Sequence, residues 1–315
     1  MKATDVLDQI LANKLFYFGI AILMVVLTHI ELVDNNRIWC IFYPGFLGVD
    51  IFMFFSGYGL CYSYQKNNLT IFYKRRFLRI APVFFLMVIV VSLVSICNGR
   101  NMSVWDWFCN LTTLNYYCLG GFYIEWYLCA VVVFYLSFPL LFSLCKRCES
   151  VNGEGILLIL VLIFCILLSI LCGKWEYVCA IGRIPIFILG ILLYINKKPL
   201  KKYLFIFCFF FLLTIPLFIL GLLPRFYVFY MAAPIIIGLM GLLGEIIIQS
   251  EGIKSVLEWI GKHTLELYVT NIVICYVMKH NDYFAGGFIV YLLGFVALTP
   301  LFIFSNKFIT SLLKK

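Results

Sequence analysis

The sequence predicts an all-α fold, a polytopic bundle of about ten transmembrane helices in an integral membrane protein. Three observations predict it: 64% of the 315 residues are hydrophobic, 12% are charged, and the mean hydropathy is +1.05. These values exclude an ordinary soluble domain. No internal repeat is visible and most connections are short, so we expect a single domain over residues 1–315.

Apolar stretches long enough to cross a hydrocarbon core of about 30 Å recur along the whole chain. They lie at 15–33, 41–62, 78–97, 126–145, 156–172, 178–196, 203–221, 226–248, 264–279 and 287–305. No small-residue cleavage site follows the first stretch, which is therefore expected to be a retained span rather than a signal peptide. An even number of spans places both termini on one side of the membrane.

The distribution of basic residues predicts which side that is. If both termini are cytoplasmic, 18 of the 24 Lys and Arg residues lie on the cytoplasmic side, in agreement with the positive-inside rule. The formal net charge of +9 then reflects contact with membrane lipids rather than nucleic-acid binding.

The 13 cysteines are scattered through spans and loops, where we expect them to pack as small apolar side chains. Cys145 and Cys148 form the only Cys-x-x-Cys pair, and no second pair or histidine lies in that loop, so no metal site is expected. Cys172 and Cys179 flank one outer loop, and their spacing leaves a disulfide between them open.

His29 is the first pointer to chemistry, because it lies near the outer end of the first span. An ionisable side chain there costs on the order of 2 to 3 kcal/mol unless it has a partner. Asp50, in the second span, lies at a similar depth when both helices rise by about 1.5 Å per residue. A carboxylate bound to one imidazole nitrogen makes the other a better base toward a hydroxyl. We therefore expect a catalytic pair of His29 and Asp50; alternatively, Asp50 caps a helix kink or faces the outer water.

A basic cluster opens the third span. Arg75, Arg76 and Arg79 are three or four residues apart, so on a helix they share a face at the cytoplasmic boundary. Guanidinium groups suit phosphate oxygens, and a cytosolic donor such as coenzyme A carries several phosphates. Anchoring to lipid headgroups is the alternative, and it suits Lys74 and Arg75 better than Arg79.

Several motifs, in order along the chain, resemble those of the membrane-bound acyltransferase family 3. They are Gly-Ile-Ala-Ile-Leu-Met-Val-Val-Leu-Thr-His at 19–29, Gly-Val-Asp-Ile-Phe followed by Ser-Gly at 48–57, Arg-Arg-x-x-Arg-Ile-x-Pro at 75–82, Glu-Trp-Tyr-Leu at 125–128, Leu-Gly-Ile-Leu-Leu-Tyr at 189–194, and Ile-Gly-Lys-His-Thr-Leu-Glu-Leu-Tyr at 260–268. No single motif is specific, but their order on a ten-span topology makes the resemblance persuasive.

The resemblance implies an O-acyltransferase of the bacterial cytoplasmic membrane. Such an enzyme takes an acyl group, usually acetyl, from cytosolic acyl-coenzyme A and transfers it to a hydroxyl of an extracytoplasmic polysaccharide or other glycan. His29 matches the family's catalytic histidine, and Arg76 and Arg79 match its donor-side arginines. Acyl-coenzyme A is then a substrate, no cofactor is tightly bound, and no oligomer is implied.

The chain departs from the family pattern at two places. The family usually has Arg or Lys eleven residues before the histidine, where this chain has Phe18; Lys14, one turn earlier, is the candidate substitute for donor binding. In the ninth span the family often has Ser and then His, where this chain has Thr264 and Asn271. Thr264 keeps a hydroxyl, but the Asn271 amide cannot act as a base.

Further candidates lie outside the main motifs. They are Glu125, Trp126, Glu266 and Asn271. The helix dipole explains Glu125 at an outer helix end, and an aromatic ring such as Trp126 suits either the headgroup boundary or a sugar face. Glu266, one turn into the ninth span, is harder to explain. Arg183 either meets an anionic sugar or anchors the outer start of the sixth span.

These residues predict a mechanism. Arg76 and Arg79 hold the donor's phosphates, the pantetheine arm crosses about 20 Å of the bundle, and His29 deprotonates the acceptor hydroxyl. Two other classes stay open. In a transporter or flippase the buried charges would form a proton relay, although no repeat symmetry supports it. Because Phe18 stands where the family usually has Arg or Lys, a non-catalytic membrane sensor also stays an alternative.

Overall fold

The computed structural model describes residues 6–30, 37–119, 126–150, 153–197, 200–280 and 287–313. Within these ranges the protein is helical and contains no strand, which confirms the all-α prediction. A membrane has no water to satisfy free backbone groups, so a chain of this hydropathy forms helices that satisfy them internally.

Fourteen α-helices lie in the described residues. They are α1 (Val6–Ala12), α2 (Lys14–Ile30), α3 (Gly48–Lys66), α4 (Leu69–Cys97), α5 (Val104–Leu111), α6 (Trp126–Ser150), α7 (Glu154–Cys172), α8 (Trp175–Ile181), α9 (Ile184–Asn196), α10 (Lys201–Ile219), α11 (Arg225–Ile247), α12 (Glu251–Lys262), α13 (Thr264–His280) and α14 (Gly287–Leu313). A tighter helical segment, Arg37–Leu47, leads into α3, and a short helical turn, Asn115–Leu119, follows α5.

The helices agree with the predicted spans. Eight helical segments are long and apolar enough to cross a membrane: 41–66, 69–97, 126–149, 154–172, 177–196, 201–219, 227–247 and 287–313. Two shorter apolar helices, 14–30 and 264–278, coincide with the first and ninth predicted spans. The protein is therefore a multi-pass membrane protein, and about ten transmembrane helices agree with its structure.

Two helical features differ from the sequence expectation. Helix α4 begins at Leu69, nine residues before the predicted third span, because Lys and Arg are good helix formers and carry the helix beyond its apolar part. Helix α5 was not predicted. The Ser103 hydroxyl accepts from the Asp106 amide at 3.2 Å, and the Asp106 carboxylate accepts from the Ser103 amide at 2.8 Å and from its hydroxyl at 2.7 Å. These bonds cap the helix and lower the pKa of Asp106.

The contacts divide the chain into two units. The first contains the described residues of Met1–Ala21, Phe46–Asn68 and Leu136–Lys262, and the second those of Ile22–Gly45, Leu69–Tyr135 and His263–Lys315. In the first unit α3 packs on α9, α10 on α11, and α7 on α9; in the second, α13 packs on α4 and α14. The prediction of a single domain stays a prediction.

Two glycines let α3 and α9 approach to backbone distance in the first unit. A methyl group at Gly57 would overlap the carbonyl oxygen of Phe187, and one at Gly190 would overlap that of Phe54. Small residues at a helix contact increase the packing area between spans, which is a principal source of helix association within a membrane.

Candidate active site

His29 lies in the last turn of α2 and is partly buried. Its Nδ1 lies 2.7 Å from the carbonyl oxygen of Val25, one turn earlier on the same helix. A carbonyl oxygen only accepts hydrogen bonds, so Nδ1 carries the hydrogen. In the neutral imidazole the lone pair is therefore on Nε2, and that atom is the one able to take a proton.

The residue before the histidine ties α2 to the segment that follows it. The Thr28 hydroxyl lies 3.0 Å from the carbonyl oxygens of both Met24 and Phe42. Its single hydrogen is shared between them. Gly45 permits this approach, because a methyl group there would overlap Met24 and Thr28. The chain after α2 thus packs back on the turn that carries His29.

A buried polar pair lies beside the same turn. Tyr291 of α14 and Asn271 of α13 are 1% and 0% exposed, and the tyrosine hydroxyl donates to Asn271 Oδ1 at 2.5 Å. The same hydroxyl lies 3.4 Å from the carbonyl oxygen of Val26, the neighbour of the residue that holds the imidazole. Asn271 is therefore a hydrogen-bond acceptor near the His29 turn. Tyr291 was not predicted, since in the sequence it is one more aromatic residue in an apolar span.

The arginines predicted to bind the donor lie together on α4, as expected from their helical spacing. Arg76 is half-buried between two aromatic rings, 5.8 Å from the centre of Phe72 and 6.0 Å from that of Tyr135. These rings attract the guanidinium group by cation–π interaction. Its Nε is buried and meets no hydrogen-bond acceptor among the described residues. Arg75 and Arg79 are exposed.

Asp50 has a charged partner in its own unit that the sequence analysis did not assign to it. Its carboxylate lies 3.6 Å from the guanidinium of Arg183, and the two side chains are 0% and 1% exposed. The Arg183 guanidinium is therefore buried inside its unit, so it is not exposed for contact with lipid headgroups or with an anionic sugar. It also donates to the carbonyl oxygens of Cys179 at 2.8 Å and Phe46 at 3.3 Å, and it lies 4.4 Å from the ring centre of Tyr230.

The ion pair follows from the glycine contact between α3 and α9. Asp50 precedes Gly57 by seven residues, and Arg183 precedes Gly190 by the same number. Because the glycines meet and the charges also meet, the two helices run in the same direction, as the second and sixth spans must. Seven residues are about two helical turns, so the charges lie on the same faces as the glycines.

The predicted hydrogen bond between His29 and Asp50 stays a prediction. His29 and Asp50 belong to different units. Within its own unit each has another partner: the Val25 carbonyl for the imidazole and the Arg183 guanidinium for the carboxylate. Neither Asp50 oxygen accepts a hydrogen bond from a described residue.

Phe18 lies in the first turns of α2, at the position where the family that the sequence resembles usually has Arg or Lys. Phe18 packs against Phe52 and Phe55 of α3, with ring centres 5.4 and 5.0 Å apart. A charged group among these rings would lose its water, so the aromatic neighbours agree with Phe18 rather than Arg or Lys. Lys14, the candidate substitute, is the first residue of α2 and is exposed.

Glu266 and Trp126 each contact a residue of their own unit. Glu266 is buried and accepts from the Asn306 amide at 2.6 Å, which supplies a partner within its unit. Trp126 is the first residue of α6, and its ring centre lies 6.0 Å from that of Tyr127. Glu125 lies outside the described residues.

Cys172 and Cys179 are not bonded to each other. Cys172 is exposed, Cys179 is buried, and neither forms a disulfide. In the part of the chain that the structure describes, no group of three or more His, Cys, Asp or Glu side chains is placed to hold a metal ion.

Comparison with known proteins identifies one family. The model of a family described as an acyltransferase domain matches residues 19–306, a range that contains both the His29 turn and the Asp50–Arg183 pair. No curated protein and no solved structure matches the chain.

Proposed function

Because the chain belongs to the acyltransferase family whose model spans residues 19–306, it is a membrane acyltransferase, and we propose that its donor is cytosolic acyl-coenzyme A. The group transferred is acetyl in the first instance, and the acceptor is a hydroxyl of an extracytoplasmic polysaccharide or other glycan. The protein then works in the cytoplasmic membrane with both termini in the cytoplasm.

The observation that carries the proposal is the hydrogen bond between His29 and Val25. It fixes the imidazole with Nε2 free to act as a base. In the proposed reaction Nε2 takes the hydroxyl proton while the hydroxyl oxygen attacks the thioester carbonyl. The carbon–sulfur bond breaks, and the coenzyme A thiolate leaves and takes up the proton. The products are the acyl ester and free coenzyme A.

The arginine cluster supports the donor half of the proposal. Arg76 is held between two rings, and its side chain is only half-buried, which leaves part of it accessible to a phosphate oxygen. Arg79, one turn further, and Arg75 are exposed and free to reach phosphates in the cytosol. Lys14 is a further candidate for this role.

Asp50 takes a changed role in the proposal. The Val25 carbonyl already orients the imidazole, so that task no longer requires a carboxylate. We assign Asp50 primarily to the pairing that holds Arg183 between α3 and α9. A direct effect on His29 is a separate prediction: Asp50→Asn would then alter the pH dependence of the rate as well as stability.

The proposal is tested by transfer from acetyl-coenzyme A that is labelled in its acetyl group. Protein in lipid vesicles receives this donor and a panel of pyranosides with different free hydroxyls. His29→Gln is expected to lower the transfer rate by about 10²–10⁴-fold, the usual contribution of a general base. His263→Gln, a matched change at the start of α13, should keep the parental rate.

Two results would contradict the scheme. Transfer by His29→Gln at the parental rate would show that His29 is not the general base. Failure of the parent to bind or hydrolyse acetyl-coenzyme A would favour the transporter or sensor alternatives over a transferase with this donor.

A further inference from the structure

Helix α12 carries two sharply different surfaces. Polar residues run along its whole length on one side, and they are Glu251, Lys254, Ser255, Glu258 and Lys262. Apolar residues occupy the other side. Among them Ile253, Val256 and Trp259 are 50%, 59% and 53% exposed and lie three residues apart, which makes them neighbours on the helix surface.

A third side of α12 is fixed to α2 within the first unit. A methyl group at Gly261 would overlap the carbonyl oxygen of Leu15, and one at Gly19 would overlap that of Leu257. Leu257 and Gly261 are one turn apart on α12, and Leu15 and Gly19 are one turn apart on α2. The two helices therefore meet at backbone distance, and the exposed apolar residues of α12 lie beside this contact rather than in it.

The position of α12 in the chain defines what covers its apolar side. It has 12 residues, about 18 Å of helix, which is too short to cross the hydrocarbon core. It joins α11 to α13, two successive spans, so both of its ends lie at one membrane face. The last turns of α11 are themselves apolar and exposed, with Leu243 at 60% and Ile246 at 68%. Because α11 is long and apolar enough to cross a membrane, lipid is also the natural cover for the apolar side of the helix that follows it.

We infer that α12 is an interfacial helix whose Ile253, Val256 and Trp259 side chains insert into the boundary between lipid headgroups and acyl chains. A helix with one polar and one apolar side along its full length is accommodated at this boundary, where the polar side contacts water and headgroups and the apolar side contacts acyl chains. Two acidic and two basic residues balance its charge, so a headgroup with no net charge, such as zwitterionic phosphatidylcholine, is sufficient. Through Gly19 and Gly261 the lipid-bound α12 braces the first turns of α2, ten residues before His29.

Trp259 makes the inference testable by fluorescence. The protein and its Trp259→Phe variant are placed in phosphatidylcholine vesicles brominated either near the headgroup or deep in the acyl chain. The difference between the two proteins isolates the emission of Trp259 from that of the other five tryptophans. We expect this difference to be quenched more strongly by shallow than by deep bromine. Quenching by aqueous iodide alone, or stronger quenching by deep bromine, would overturn the inference.

A matched pair of charge variants tests the apolar side directly. Val256 and Ser255 are adjacent and both exposed, one on the apolar side and one on the polar side. Val256→Asp should reduce the shallow quenching of Trp259 at least twofold, and Ser255→Asp should leave it unchanged. Equal effects of the two variants would contradict the assignment of sides. If Val256→Asp does not fold, the comparison of parent and Trp259→Phe still decides the inference. These readouts measure depth in the membrane, so they are independent of acyl transfer.

Discussion

The contact between α3 and α9 can be tested by one methyl group, because two of the three glycines in α3 have opposite surroundings. At Gly57 an added methyl carbon would lie 3.0 Å from the carbonyl carbon of Phe187, whereas at Gly59 it would meet nothing within 4 Å. Gly57→Ala and Gly59→Ala therefore make the same chemical change in the same helix, two residues apart.

The expected magnitude follows from these distances. Carbon atoms in contact are separated by about 3.5–4.0 Å, so the carbonyl carbon alone requires alanine at position 57 to push α3 and α9 apart by at least roughly 0.5–1 Å, and the Phe187 carbonyl oxygen, which lies closer still, requires more. Overpacking of this kind costs about 1–3 kcal/mol. The Asp50–Arg183 pair, now at 3.6 Å, loosens with the same displacement. Alanine at the exposed position 59 instead stabilises the helix by about 0.5–1 kcal/mol.

The free energy of unfolding is measured by titrating the protein in mixed micelles with dodecyl sulfate and following its helicity. Gly57→Ala should unfold at a lower dodecyl sulfate fraction than the parent, and Gly59→Ala at the same or a higher one. The two free energies should differ by about 1.5–4 kcal/mol. Equal midpoints for the two variants would refute the close contact and the shared direction of the helices.

Two further predictions use the same titration. Arg183→Met leaves the Asp50 carboxylate buried without its charge partner and should cost about 3–5 kcal/mol, whereas the double change with Asp50→Leu should recover most of this loss; a double variant no more stable than the single one would contradict the pairing. In α12, Gly261→Ala should lower the free energy of unfolding by about 1–3 kcal/mol. Gly252→Ala, whose added methyl group meets open space, should not lower it. Equal losses in the two variants would contradict the close contact between α12 and α2.

Hydropathy alone predicted the membrane helices, because a lipid environment leaves a hydrophobic chain few ways to satisfy its backbone. The helical face shared by Arg75, Arg76 and Arg79 was also predictable, since it depends only on the helical period. The start of helix α5 could also have been predicted from the sequence, because Ser103 and Asp106 have the spacing of a capping box.

The partners of the buried charges were not predictable in the same way. Asp50 and Arg183 are 133 residues apart, and their equal distance from Gly57 and Gly190 has meaning only once the second and sixth spans are known to be neighbours. The contact of His29 with Val25 was not predicted for a different reason. The sequence analysis considered only side chains on other spans, whereas this acceptor is a main-chain oxygen four residues earlier on the same helix.

That main-chain acceptor affects how the chain tolerates variation over evolutionary time. Replacing Val25 by another residue leaves its carbonyl oxygen in place, so drift at that position does not disturb the imidazole as long as the helix persists. The Asp50–Arg183 pair has no such protection, since one substitution leaves an unmatched charge. A deep mutational scan should therefore show tolerant positions around an indispensable histidine in α2, and jointly constrained positions at 50 and 183.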